Sequence, residues 1–138
     1  MKIESPSRRH FLQASGALVI AFSLHPEIAA AQAKPAKLPG SLATNRMLDA
    51  WIRIGADGRV TIFTGKIELG QGIGTALAQI AADELDVAIG RIDMVHGDTE
   101  RTPNEGQTAG SLSVTNSGQA LRYACAEARA LLLAAAAV

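Results

Sequence analysis

The chain holds 138 residues, the size of one ordinary domain at most. Thirteen Lys and Arg balance thirteen Asp and Glu, so charge gives no footing for nucleic acid or an anionic membrane surface as a partner. The single cysteine, Cys125, excludes an internal disulfide and any all-cysteine metal or iron–sulfur site within the chain. Set among apolar residues, it reads as a small buried side chain.

Residues 1–33 read as an export address. Ser7-Arg8-Arg9-His10-Phe11-Leu12-Gln13 puts two arginines ahead of an uncharged apolar segment, Ala14 to Leu24. Small residues then offer cleavage at Ala29-Ala30-Ala31 or Ala31-Gln32-Ala33. The apolar segment is too short for a lasting membrane span, which takes about 20 residues. The start is similar to the signal of the bacterial twin-arginine route, with Gln13 where lysine is frequent, so a periplasmic destination is expected. Residues 34–48, with Pro35 and Pro39, read as a linker.

In the remainder, residues 49–138, Trp51-Ile52-Arg53-Ile54 and Val60-Thr61-Ile62-Phe63 alternate in strand fashion on either side of Asp57-Gly58. That pattern predicts a β-hairpin, because glycine accepts positive φ in the tight turn. Asp57 and Arg59 are expected to be solvated turn residues. Gly70, Gly72 and Gly74 then fall at alternate positions, and Leu77, Ile80, Ala81 and Leu85 at helical spacing, which predicts a helix over 73–85. Glycines allow close approach and a helix start leaves N–H groups unpaired. The corner therefore suits an anion, phosphate above all, or serves simply as a tight connection.

Asp83, Glu84 and Asp86 gather at the C-terminal end of that helix, where the dipole disfavours them; they either pair with basic groups elsewhere in the fold or lie in solvent, and solvent is the favoured expectation. Arg91 to His96 predicts a further strand with Ile92, Met94 and His96 on one face, its pairing direction unreadable. After a polar loop, 100–107, Thr108 to Ser113 lead into a second helix. Val114, Gly118, Leu121, Cys125, Ala128 and Leu132 form its apolar face. Ser111 and Ser113 suit helix capping or a second anion contact. This helix carries no stop signal before Val138, so the chain is expected to be the front part of something longer. The sum is an α+β fold: a β-hairpin followed by helix, strand and long helix.

Several chemistries find no support. Gly70 and Gly72 begin a dinucleotide fingerprint, and Asp93 lies at about the distance of a ribose contact, but Thr75 stands where the third glycine belongs. A Walker-type phosphate loop fails because no Gly-Lys-Ser/Thr follows. His96 is the only histidine after the export address and has no ligand partner at helical spacing, so it reads as structural. No order or spacing suggests a serine–histidine–carboxylate set.

Two longer stretches carry a resemblance. Gly65-Lys66-Ile67-Glu68-Leu69-Gly70-Gln71-Gly72 runs into Thr75-Ala76-Leu77-Ala78-Gln79-Ile80-Ala81-Ala82-Asp83-Glu84-Leu85-Asp86-Val87. Later come Gly97-Asp98-Thr99, Thr102-Pro103, Gly106-Gln107-Thr108-Ala109-Gly110-Ser111 and Gly118-Gln119-Ala120-Leu121-Arg122. In order and spacing these resemble the xanthine dehydrogenase, or molybdenum hydroxylase, family, and within it the exported branch typified by the isoquinoline 1-oxidoreductase beta subunit. The resemblance covers about Trp51 to Ala134.

It implies part of a larger molybdopterin-binding domain, holding molybdenum through a pterin dithiolene, as the cytosine dinucleotide. It implies hydroxylation of N-heterocycles or aldehydes with oxygen from water. Carried over by position, Gly70, Gln71 and Gly72 would line the molybdopterin, with the Gln71 amide bonding to it. Thr108, Gly110, Ser111 and Ser113 would hold its pterin or phosphates. The implied partners are a small two-iron two-sulfur subunit, the remainder of the large subunit, a small heterocycle or aldehyde and, as an admissible acceptor, a cytochrome c. Family members are several times longer, and the glutamate serving as general base lies in parts not present here, so Glu68 is not assigned that role. No catalytic residue and no protein ligand to the metal are expected in this chain, which should be inactive alone. The alternative is a small exported binding or structural module without catalysis.

Overall fold

The computed structural model describes residues 37–137 and the backbone of Ala17–Leu18; the export address expected over 1–33 otherwise lies outside the described residues. A sheet in the order β1-β2-β3-β4 is formed by β1 (Ala17–Leu18), β2 (Ile52–Gly55), β3 (Val60–Thr64) and β4 (Ile92–His96). β2 and β3 make the expected antiparallel hairpin, with Ile52 opposite Ile62 and Ile54 opposite Val60. Gly58 takes φ +78° in its turn. β4 pairs parallel to β3, Val60 opposite Ile92 and Thr64 opposite His96. Helix α1 (Ile73–Leu85) makes the crossover that such a pair requires.

The second helix, α2 (Gln119–Ala136), lies against α1. Ala81, Leu77 and Leu85 of α1 share a core with Ala120, Leu121, Ala124, Cys125 and Ala128 of α2. The alanines keep the helix surfaces flat where they meet. Burial raises the Cys125 thiol pKa to about 12, so the cysteine is the inert small side chain expected. Trp51 is fully buried beneath the same core, its Nε1 donating to the Asn45 carbonyl at 2.9 Å. Among the described residues no helix is long and apolar enough to cross a membrane.

Four expectations change. The stretch expected as a linker to residue 48 is packed over its second half, where two 3-10 turns, Gly40–Ala43 and Leu48–Ala50, send Leu42 and Leu48 into the core. Arg59 is no idle turn residue: its guanidinium grips both oxygens of Asp93 across the parallel pair and holds that carboxyl below its usual range. Glu84 does not lie free in solvent, because α2 brings Arg122 to it at 2.5 Å, whereas Asp83 and Asp86 stay exposed as expected, Asp86 meeting Arg129 at 3.2 Å at the surface. The last concerns the entry to the second helix, which is a wide π turn, Ser113–Gly118. This shifts the helical phase, so Val114 is half exposed while Ser117 and Gly118 are buried.

Candidate cofactor-binding site

The period-two pattern of β3 continues past its last residue. Val60, Ile62, Thr64 and Lys66 are all buried, and Lys66 is only 2% exposed. Its ammonium reaches the backbone of the second loop, donating to the carbonyls of Glu105 at 2.7 Å and Gln107 at 2.9 Å. In return the Glu105 carboxylate accepts the Thr64 hydroxyl at 2.7 Å and the Gly65 N–H at 2.8 Å. Ile67 N–H then donates to the Thr108 hydroxyl at 2.9 Å. These bonds lace residues 64–67, where the Gln71 loop begins, to residues 105–108, where the Ser111 loop begins. Phe63 is covered by the guanidiniums of Arg53 and Arg101, 5.5 and 5.8 Å from its ring centre, so the intervening loop is held down as well.

Beyond Ile67 the chain folds onto its own side chains. Glu68 Oε1 accepts the N–H groups of Gly70 at 2.8 Å and Gly72 at 2.9 Å, and its Oε2 accepts that of Gly74 at 2.9 Å. The N–H of Gly74, then that of Gly72, hold the Glu68 carboxyl below the usual carboxylate range, with Gly70 and the nearby His96 acting in the same direction against partial desolvation. Gly70 and Gly72 have φ of +98° and +76°, a left-handed backbone that glycine adopts without strain, and this aims their amides at one carboxylate. The anion at the N-terminus of α1 is therefore an internal one. Gln71 closes the loop from the other side, its Oε1 accepting Leu69 N–H and its Nε2 donating to the Ile67 carbonyl at 2.9 Å.

Of the residues singled out by sequence, Gly70, Gln71 and Gly72 are exposed on the first loop. Thr108 is half-buried at the joint between the loops, and Gly110 and Ser111 are exposed with φ of +65° and +56°. Ser113 opens the π turn, and neither Leu112 nor Gly118, the residues preceding the two helical stretches, makes a side-chain cap bond. The structure thus joins the two corners through Ile67 and Thr108, while among the described residues no hydrogen bond links Gln71 to Ser111. A cleft of about 360 Å³ beside the joint is lined by Gly65, Ile67, Gly97, Thr102 and Glu105. Lys66, Glu68 and Glu105 were missed as organisers. The parity of Lys66 with Ile62 and Thr64 was the available signal for its burial.

What remains free to meet a ligand follows from the donor inventory. Gln71 Nε2 has spent one of its two hydrogens. The Thr108 hydroxyl accepts from Ile67 and keeps its own proton for donation. The same two loops carry exposed apolar side chains: Ile67 at 48%, Leu69 at 75% and Leu112 at 48%.

The pattern of the molybdopterin cofactor-binding domain family matches residues 16–138. A nicotinate dehydrogenase subunit of Pseudomonas putida is 41% identical over 133 residues, which is 96% of this chain and 11% of that protein. Aldehyde oxidase 3 of Rattus norvegicus is 37% identical over 76 residues, 55% of this chain and 6% of that protein. Xanthine dehydrogenase/oxidase of Mus musculus is 34% identical over 76 residues, again 55% of this chain and 6% of that protein. The chain thus spans about a tenth or less of the length of these curated relatives. It belongs to the molybdopterin cofactor-binding domain family, within the xanthine dehydrogenase family of molybdenum oxidoreductases.

Proposed function

We propose that this chain is part of the molybdopterin-binding subunit of an oxidoreductase that hydroxylates an N-heterocycle or an aldehyde with oxygen from water. Electrons then pass to a separate two-iron two-sulfur subunit and onward to an acceptor such as a cytochrome c. Identity of 41% over almost the whole chain to a nicotinate dehydrogenase subunit favours the N-heterocycle. When bound, molybdenum on a pterin dithiolene, as the cytosine dinucleotide, supplies the redox and oxygen-transfer chemistry.

The chain's own residues bind and orient. Gln71 offers its unspent amide hydrogen to the cofactor, and the hydroxyls of Thr108, Ser111 and Ser113 offer donors to its pterin edge or phosphates. Gly110, at positive φ, lets the backbone approach closely. Gly70 and Gly72 contribute the shape of the loop, since their N–H groups already serve Glu68. The general base lies in the remainder of the subunit, so this stretch alone does not turn over substrate. The twin-arginine start supports export, and with it a periplasmic enzyme of the isoquinoline 1-oxidoreductase type.

The observation that carries this reading is the lacing of the Gln71 loop to the Thr108–Ser113 loop through Ile67, within a chain that matches the family over residues 16–138. Gln71→Ala in the complete subunit tests it: molybdenum content or turnover should fall. Full occupancy with wild-type turnover removes Gln71 from the cofactor site. A wild-type product without molybdenum or pterin favours the non-catalytic module instead.

A further inference from the structure

The corner that the sequence offers to an outside anion is closed by the chain itself. N–H groups at positions 70, 72 and 74 converge on the Glu68 carboxylate, which uses both oxygens to accept them. Bonds from N–H to an ionised acceptor are roughly twice as strong as neutral ones, and the positive end of the α1 dipole adds to them. The two glycines flanking Gln71 are both held in this way, which fixes the backbone on either side of it. With its neighbours' amides turned to Glu68, Gln71 is left exposed, and its own amide braces Leu69 and Ile67.

We propose that Glu68 is a positioning residue: its carboxylate bars external anions from the N-terminus of α1 and sets the orientation of Gln71. The second half of this statement rests on the reading of Gln71 as a cofactor contact; the first half does not. Glutamine at 68 cannot substitute. It has one acceptor oxygen, and its NH2 would face one of the three N–H groups. Alanine at 68 leaves an empty nest of three N–H groups that a small carboxylate can refill.

The test uses the assembled holoenzyme with wild-type, E68A, E68Q, Q71A and E68Q/Q71A subunits. Amide hydrogen exchange across residues 67–75 should quicken by about tenfold or more in E68A and E68Q, the loss expected for charge-assisted bonds. Added formate should slow it again in E68A and leave the wild type unchanged. Molybdenum retention should fall several-fold in E68Q, and E68Q should add nothing further on top of Q71A, because it acts through that residue. Unchanged exchange in E68A and E68Q overturns the closure, and independent effects of E68Q and Q71A on retention overturn the positioning role. If E68A does not accumulate, E68Q carries the exchange measurement. A wild-type holoenzyme without molybdenum defeats the functional reading instead, and the exchange and formate measurements still judge the closure.

Discussion

Ile67 N–H donates to Oγ1 of Thr108 at 2.9 Å, across 41 residues of sequence. It is the outermost of the bonds joining the two loops and the nearest to the residues proposed to meet the cofactor. Its neighbours toward the sheet, at Lys66, Gly65 and Thr64, repeat the connection with better-shielded groups.

Thr108→Val keeps the side-chain shape and removes the acceptor. Because Ile67 is about half exposed, water can partly replace the bond, so the global cost should be about 0.5–1.5 kcal/mol by chemical unfolding. Cofactor retention should fall by more than stability does, while Thr108→Ser should restore both. Equal behaviour of the valine and serine variants would remove the hydroxyl from this role.

Lys66→Met preserves the length of a side chain that is 2% exposed but deletes the donors to the Glu105 and Gln107 carbonyls. Leaving these acceptors without a partner should cost about 1–3 kcal/mol. Protease nicking should begin within residues 99–108, which that ammonium holds to the end of β3. Wild-type resistance in that loop would show that the Glu105 carboxylate suffices by itself.

Acid should loosen the molecule at two identifiable places. Glu68, bonded to the Gly74, Gly72 and Gly70 amides and facing His96, and Asp93, gripped by Arg59, both have folded-state values below their ordinary ones. Each therefore contributes stability that is complete above its unfolded value, ~4.3 for Glu and ~3.9 for Asp, and that drains away as pH falls through the lower folded value. Denaturant midpoints measured from neutral pH to pH 3 should decline through that window. Asp93→Asn and Glu68→Gln should each flatten the decline, and an unchanged slope in both variants would exclude these two carboxyls as its origin.

Gly74→Ala tests the contact between α1 and β4. An added Cβ would lie 2.5 Å from Cε1 of His96, closer than the two groups can stand. A loss of about 1–3 kcal/mol is expected from the forced shift. His96→Ala should be milder alone and should relieve most of the Gly74→Ala defect in the double variant, as read from unfolding midpoints. Additive losses would show that the strain lies elsewhere.

Much of the chain's local order was legible before the fold. The hairpin about Asp57-Gly58, the helix at 73–85 and the strand ending at His96 stand where alternation and helical spacing put them. These signals come from neighbours within one element, so a single stretch of sequence contains all of the information. The π turn at Ser113–Gly118 escaped because no side-chain pattern distinguishes a slightly widened turn from a regular one.

By itself, the sequence determined which segments become strand or helix, that Cys125 would be buried, and which family the motifs resemble. Only the tertiary structure decided who meets whom: the parallel pairing of β3 with β4, Arg59 with Asp93, Glu84 with Arg122, and Lys66 with the carbonyls of the second loop. It also decided that Glu68, not a ligand, fills the first corner. A donor's need for an acceptor is written in its residue type, but the acceptor is chosen by the path of a chain that returns some 40 residues later, and that path is a property of the packed core.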